Sequence, residues 1–533
     1  MKESADVVIM GGGLAGLTLA LQLRQRFPAL QVVVLERRRH PVPHATHKVG
    51  ESSVEIGAHY FDTVLGLRAH LEREQLKKFG FRFFFSDGCP ALDAVLELGA
   101  SRYLSTPSYQ LDRGIFENFL GRTAAEQGAT FLDGTVIGEL SLDGANGHRV
   151  LYERDGEQRS ITGRWLIDAS GRAGLIKRRL GLQESNGHDA NSVWFRVDSR
   201  IDVNEWSEDV AWLGRCDPPN RWLSTNHLVG EGYWVWLIPL ASGSHSVGIV
   251  ADARLHPLKS MSSFPRVMQW LRRHQPRLAQ DLEQRCSTPQ DFMFLRRFSY
   301  GCRQVFSADR WALTGEAGVF LDPFYSPGSD FIAISNTYIT ELIAKELNGE
   351  PVAAHARFYE QMYFSFYRST LSLYVDQYPL LGDPEVMPVK VIWDYTYYWG
   401  ILCQLFFQHR LADRAMLARV RVELSTVFEL NGAMQRFLRA WSGVSARRNP
   451  AVMIDQASLD WFAELNRGLQ DRLDDTAFVE RIRSSVAQLR ALAAEILERA
   501  TMEHPELDAM PLRAELGECS PQRASKLLFA AAA

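Results

Sequence analysis

The stretch DVVIMGGGLAGLTLALQLRQRFPALQVVVLERR, residues 6–38, decides the fold. An apolar run from Val7 to Met10 passes into a glycine turn, then into leucines at helical spacing, then into a second β-branched run from Val32 to Leu35. Strand, turn, helix and strand in that order open a nucleotide-binding α/β fold. Gly11, Gly13 and Gly16 form G-x-G-x-x-G directly after the first strand, and Glu36 closes the second strand 20 residues beyond Gly16. The glycines let the main chain approach a diphosphate, and the helix N-terminus supplies N–H donors and a positive dipole. Glu36 can accept hydrogen bonds from ribose hydroxyls. In this setting the motif predicts dinucleotide binding, whereas an isolated glycine fingerprint would not.

The rest of the composition narrows the class. A chain of 533 residues with 46% hydrophobic content can bury a large core and divide into roughly two to four domains. A net charge of −4 leaves no basic footprint for nucleic acid and no polybasic stretch for an anionic membrane. The opening MKESADVVIM runs straight into the first strand without the features of a signal peptide, so a cytoplasmic location is expected. Six scattered cysteines, with no C-x-x-C pair and no histidine cluster at ligand spacing, indicate neither a disulfide framework nor a metal site. The most apolar late segment, WGILCQLFFQ (399–408), is much shorter than the roughly 20 residues that span a bilayer, so no membrane span is expected.

Two later segments repeat the strand-end turn. RWLIDASGRAGLIKR (164–178) reads as a strand ending at Asp168, and RWALTGEAGVFLDPFYSPG (310–328) as a strand ending at Gly315 and Glu316. Three such turns would converge on one ligand. Here the chain resembles the FAD-dependent monooxygenase-like superfamily, which implies that the ligand is FAD. In that superfamily an acidic residue at the third strand end, usually Asp in Gly-Asp-Ala, contacts the ribityl chain; this sequence has Glu316, one methylene longer. The resemblance extends to YQLDRGIFENFL (109–120), where an Asp-Arg pair opens a helix and Arg113 would lie beside the flavin. Without the resemblance, Arg113 reads equally as an ion-pair partner of Asp112.

Within that superfamily, Trp234-Val235-Trp236-Leu237-Ile238-Pro239 resembles the W-x-W-x-I-P signature of flavin-dependent halogenases. Period-two spacing puts Trp234 and Trp236 on one face of a strand, and the resemblance implies that they form a wall between flavin and substrate. FLDPFYSPG matches the F-x-x-P-x-x-S-x-G pattern at Phe320, Pro323, Ser326 and Gly328, and HKVGESS (47–53), with Gly50, Glu51 and Ser52, resembles the flavin-facing loop of phenol and carrier-protein halogenases. Lys78, 27 residues beyond Glu51, falls where that branch carries its active-site lysine. On charge pattern alone, Lys77-Lys78 reads as a solvated pair.

The resemblance implies a two-component enzyme. A separate reductase would supply FADH2, and O2 with chloride or bromide would give hypohalous acid. Lys78 would hold this oxidant and protonate its leaving oxygen while an electron-rich aromatic carbon attacks. Two departures bear on the substrate. The family associates the backbone N–H groups of the two residues after the motif serine, here Pro327 and Gly328, with the halide, and proline has no N–H. Tryptophan halogenases carry glutamate before that serine, whereas this chain has Tyr325, so a self-activating phenol or pyrrole, free or carrier-bound, is expected rather than free tryptophan. The alternative is a monooxygenase or dehydrogenase of the same fold that no longer uses halide. A flavin-binding scaffold without turnover is a third reading, opposed by the retained Glu51 and Lys78.

The expected architecture is an α/β FAD-binding Rossmann-like domain over residues 1–345, with an antiparallel substrate-side sheet inserted at about 186–300, and a helical C-terminal domain over 346–533. The segments 358–381 and 391–410 are dense in Tyr, Phe and Trp and read as helical core or as an aromatic substrate wall. The amphipathic 474–500 is suited to packing on the body, homodimer formation or carrier docking, and the tail LLFAAAA carries no recognisable signal.

Overall fold

Burial explains why the opening stretch folds as it does. Val7, Val8, Ile9 and Met10 are fully buried in the strand Ser4–Met10, as in a parallel strand covered on both faces. The helix Leu14–Arg26 starts at Gly13 and buries Leu14, Leu17 and Leu21. It ends at Phe27, just ahead of Pro28, with Arg24 and Arg26 beside the negative end of its dipole. The computed structural model describes residues 4–44, 48–516 and 528. His47 of the loop quoted above, Cys519, and the tail 527–533 except Leu528 lie outside the described residues.

The chain divides into two units. The first comprises Met1–Leu76, Leu111–Gly187 and Ser299–Tyr367. Its seven-stranded sheet runs Thr130–Leu132, Val32–Leu35, Ser4–Met10, Glu157–Asp168, His148–Arg154, Thr135–Ser141, with Trp311–Leu313 beside the end of Glu157–Asp168. Pairing is parallel through Glu157–Asp168 and onto Trp311–Leu313, and antiparallel beyond. The register sets Met10 opposite Asp168 and Asp168 opposite Leu313, so three strand ends lie side by side. The helix Gly328–Leu347 is fastened to Leu14–Arg26 by buried Asn336, whose Nδ2 donates to the Ala15 carbonyl at 3.2 Å and Thr18 Oγ1 at 3.1 Å. Thr314 Oγ1 donates to Asn336 Oδ1 at 2.7 Å, which fixes that helix relative to the third strand end.

The second unit comprises Lys77–Gln110, His188–Phe298 and Arg368–Ala533. Its eight-stranded sheet runs Asp291–Leu295, Ala190–Val197, His245–Asp252, Tyr233–Pro239, Thr225–Gly230, Phe81–Phe84, Glu97–Gly99, Met453–Asp455. The five strands between 188 and 298 are mutually antiparallel. Three more come from distant segments, and the last joins by parallel pairing of Met453 with Glu97 and Ile454 with Leu98. One face carries Phe84, Val193, Phe195, Leu228, Val235, Val247 and Ile249 into an apolar core shared with the helices Phe264–His274 and Pro276–Arg285. Long helices Arg421–Ser442 and Asp475–Glu503 follow, and no helix among the described residues is long and apolar enough to cross a membrane.

A closed charge cluster lies within this unit. Glu97, Arg82 and Arg221 are all fully buried. The Glu97 carboxylate accepts from Arg82 Nη1 and, at 2.8 Å, from Arg221 Nε. Further guanidinium N–H groups turn to carbonyls, Arg82 Nη2 to Ala100 at 2.6 Å and Arg221 Nη2 to Trp212 at 2.7 Å, while Arg82 Nε is buried with no hydrogen-bond partner among the described residues. Burial pushes the Glu97 carboxyl up, but the two guanidinium groups outweigh it and hold the group below the usual carboxylate range.

Candidate functional site

In the first unit the glycine turn leaves no room for side chains except at one place. A Cβ on Gly16 would stand 1.9 Å from the Gly11 carbonyl oxygen, and one on Gly11, at φ +115°, 2.3 Å from that of Ala169. On Gly13 it would meet nothing nearer than Lys48 Nζ at 3.8 Å and Glu117 Oε1 at 4.0 Å. The main chain is therefore open to a ligand at the second fingerprint glycine, where a diphosphate approaches. Glu36 Oε2 accepts from the Gly12 N–H at 2.6 Å and Oε1 from Arg38 N–H at 2.7 Å, which holds the carboxylate at the turn. Further lone pairs of these oxygens can accept from ribose.

The loop over this opening is fixed by the helix Arg113–Glu126. Arg113 is not paired with Asp112, which caps the helix by accepting from Ile115 N–H. Its Nη2 donates to Glu117 Oε1 at 2.6 Å and its Nη1 to the Val49 carbonyl at 2.6 Å, beside Gly50 at φ +86°. Its Nε is buried with no hydrogen-bond partner among the described residues. Buried Glu51 accepts through its carbonyl from Leu111 N–H at 2.5 Å, and Ser52 beside it is buried. Lys48 Nζ pairs with Glu117 Oε2. The fully buried Glu117 carboxyl is pushed up by burial but held below the usual range by Arg113 and Lys48. Lys48 and Glu117 escape a motif search; the i,i+4 spacing of Arg113 and Glu117 was the visible signal.

Asp168 serves the second turn from within. Its Oδ1 accepts from Ser170 Oγ at 2.6 Å and its Oδ2 from Ile176 N–H at 2.7 Å, so it shapes the turn that follows its strand. Burial raises its pKa against these bonds. At the third strand end Gly315 has φ +60°, and Glu316 follows on the short helix Gly315–Ala317. Burial raises the Glu316 pKa even though Arg172, Arg113, Lys177 and Lys48 act to lower it. Lys177 donates to the Gly318 carbonyl at 2.9 Å and lies 3.8 Å from the Tyr300 ring centroid, and burial pushes it down to about 8.

The motif after Glu316 ends in an unusual turn. Tyr325 and Ser326 occupy the left-handed region in succession, at φ 66° and 54°, a conformation that costs non-glycine residues ~1–3 kcal/mol each. Ser326 N–H donates to the Pro323 carbonyl at 2.9 Å, and Pro327 caps the helix Gly328–Leu347. A Cβ on Gly328 would meet nothing within 4 Å. Ser329 Oγ is buried and without a hydrogen-bond partner among the described residues. Asp330, buried, accepts from Gly57 N–H at 2.8 Å, which commits one carboxylate oxygen to the neighbouring helix Glu55–His59.

The second unit holds Lys78, Trp234 and Trp236. Both tryptophans are buried on the sheet face opposite the apolar core, because register pairs Trp236 with His227 and His227 with Phe83. Trp234 Nε1 donates to Tyr378 OH at 3.0 Å and Trp236 Nε1 to Ser246 Oγ at 3.1 Å. Trp236 lies on Gly248, where a Cβ would come within 2.1 Å of its ring. Lys78 is buried, its N–H donating to the Ser108 carbonyl at 2.9 Å and its Nζ 3.4 Å from the Phe81 ring centroid, so the solvated reading of its charge is excluded. Phe81 meets His227 edge-on at 5.2 Å, and His227 stacks on Phe83 at 4.6 Å. Burial and the Lys78 charge push His227 down to about 3. Tyr395, from the helix Val386–Tyr397, reaches Phe81 at 6.1 Å, so an aromatic-rich C-terminal helix joins this face.

The chain is similar to several known proteins. Residues 4–247 match the family described as FAD binding domain. The flavin-dependent halogenase chlA of Dictyostelium discoideum is 26% identical over 450 residues, covering 76% of this chain and 73% of that protein. A 1H-pyrrole-2-carbonyl-[peptidyl-carrier protein] brominase of Pseudoalteromonas luteoviolacea is 24% identical over 359 residues, covering 65% and 79%. Halogenase PltM, solved in complex with phloroglucinol and FAD, shares the fold at a TM-score of 0.64 and 17% identity, over 92% of this chain and 96% of that one.

Proposed function

Because the chain belongs with the flavin-dependent halogenases of the FAD-dependent monooxygenase-like superfamily, we propose that it halogenates a phenol or a pyrrole, free or carrier-tethered, with Lys78 handling the oxidant. The observation that carries this reading is the buried Lys78 ammonium on the aromatic face shared by Phe81, His227, Trp234 and Trp236.

FAD fits the first unit on its geometry: the backbone is bare at Gly13, Glu36 is held at the turn, and Arg113 keeps an unpartnered buried N–H. Once reduced by a separate reductase, bound FAD supplies the electrons with which O2 and chloride or bromide give hypohalous acid. The Gly328 N–H and the Ser326 and Ser329 hydroxyls are the donors offered to a halide, since Pro327 has no N–H. Lys78, as the ammonium, hydrogen-bonds the hypohalous oxygen. As the aromatic carbon attacks the halogen, the carbon–halogen bond forms, the halogen–oxygen bond breaks, and the Lys78 proton leaves with that oxygen as water. The ring proton then restores the lysine. Trp234 and Trp236 are walls in this reading and take no part in bond making. Tyr325, where a glutamate would polarise free tryptophan, favours a substrate that activates itself. The pyrrole acted on by one relative and the phloroglucinol bound by PltM are both of that kind.

Pro327 supports a second reading, an FAD-dependent monooxygenase or dehydrogenase that no longer uses halide. Mass spectrometry separates the two, with FAD, a flavin reductase, NADH, O2 and free or carrier-bound phenols and pyrroles, run with chloride, with bromide and with neither. The expected product carries a halogen isotope pattern only when halide is present, and Lys78→Ala lowers its yield by about 100-fold or more. Oxygenation or desaturation indifferent to halide establishes the second reading instead.

A further inference from the structure

We infer that Lys48 is a diphosphate-binding residue of the FAD site and that buried Glu117, itself paired with Arg113, positions it beside the glycine turn. The reasoning starts from Gly13. Of the fingerprint glycines, Gly11 and Gly16 face other backbone atoms at under 2.5 Å from an added Cβ, whereas the space over Gly13 is bounded by Lys48 Nζ at 3.8 Å and Glu117 Oε1 at 4.0 Å. A diphosphate drawn to the helix N-terminus through that space would have Lys48 as the cation nearest to it. Lysine suits this place because its charge is compact and its donors rotate to any phosphate oxygen.

Glu117 carries the opposite charge and cannot itself attract a diphosphate. Its side chain is fully buried, with Arg113 12% exposed and Lys48 25% exposed on either side. One carboxylate and two cations leave the trio at net +1, and Lys48 Nζ is the atom of the trio nearest the space over Gly13. The same carboxylate steadies the loop. Lys48 is held through Glu117, Val49 and Gly50 through Arg113 Nη1 at 2.6 and 3.3 Å, and Glu51 through Leu111 N–H at 2.5 Å. Removing the Glu117 charge takes the carboxylate partner from both Lys48 and Arg113, so Glu117 acts on the cofactor through these two cations.

The test uses the full chain stripped of flavin and titrated by fluorescence with FAD and with riboflavin, which lacks phosphate. Lys48→Gln is expected to weaken FAD about 10- to 100-fold, to reduce the salt dependence of FAD binding, and to leave riboflavin affinity unchanged. Lys48→Arg recovers most of the loss. Glu117→Gln weakens FAD comparably, and adding Lys48→Gln to it costs little more, because the two lie on one path. Unchanged FAD affinity in Lys48→Gln overturns the inference, as does an equal loss for FAD and riboflavin, which would mark Lys48 as a structural residue. Should Glu117→Gln fail to fold, Lys48→Gln and Lys48→Arg decide the point alone.

Discussion

Two buried carboxylates in this protein each lie between two cations, and they do opposite things. Glu97, between Arg82 and Arg221, is sealed: all three side chains are fully buried, and the guanidinium groups turn their further N–H bonds to Ala100 and Trp212 carbonyls. Glu117, between Lys48 and Arg113, is equally buried, but Lys48 borders the open space over Gly13 and both cations are partly exposed. The same inventory of charge thus makes a strut in one unit and a presented positive surface in the other. What separates them is their surroundings: Glu97 and both its cations are fully buried, whereas Lys48 and Arg113 are partly exposed and Lys48 Nζ stands beside bare backbone at Gly13.

The largest expected effect tests the strut. Glu97→Ala leaves two buried guanidinium groups uncompensated and should cost about 3–5 kcal/mol of stability in denaturant unfolding. FAD affinity of the molecules that remain folded should be unchanged, and a fall there would break the distinction. Next, Arg113→Lys keeps the charge but loses the forked contact to Glu117 and Val49. It should weaken FAD roughly tenfold while moving stability by no more than about 1 kcal/mol.

Acid should act on both clusters with one sign. Each carboxyl is held below its ordinary value, so its contribution is fully present above the unfolded pKa near 4.5 and is lost as pH falls through the lower folded value. As pH falls below the ordinary carboxylate range, FAD release should accompany protonation of Glu117 and global unfolding that of Glu97, readable as flavin fluorescence against circular dichroism. The smallest effect is from salt. Raising ionic strength should lower FAD affinity through Lys48 and Arg113 and leave the Glu97 contribution nearly untouched, because sealed pairs are poorly screened.

The sequence displays the cofactor unit far better than the clusters. Val7–Met10, the three spaced glycines and Glu36 are contiguous enough to be read directly, and the turns after Asp168 and Leu313 prove adjacent by register. Trp234 and Trp236 share a face as their spacing implies. What period-two spacing cannot say is which face, because that depends on Leu228 and Val235 filling the core on the other side. Glu97 stood unread because its partners lie 15 and 124 residues away, and Lys48 because Glu117 is 69 residues distant. Nor does local pattern reveal that Met453–Asp455 crosses back to the sheet, since three residues carry no periodic signal.

Gly248 gives the aromatic face a property that the tryptophans themselves do not. The Trp236 indole lies in a recess that exists only because residue 248, on the neighbouring strand, has no side chain. A single methyl there would evict the ring while leaving both tryptophans in the sequence. The contour of this surface is therefore encoded at a distance from its most visible residues, and one substitution at position 248 would reshape it while leaving the W-x-W signature intact.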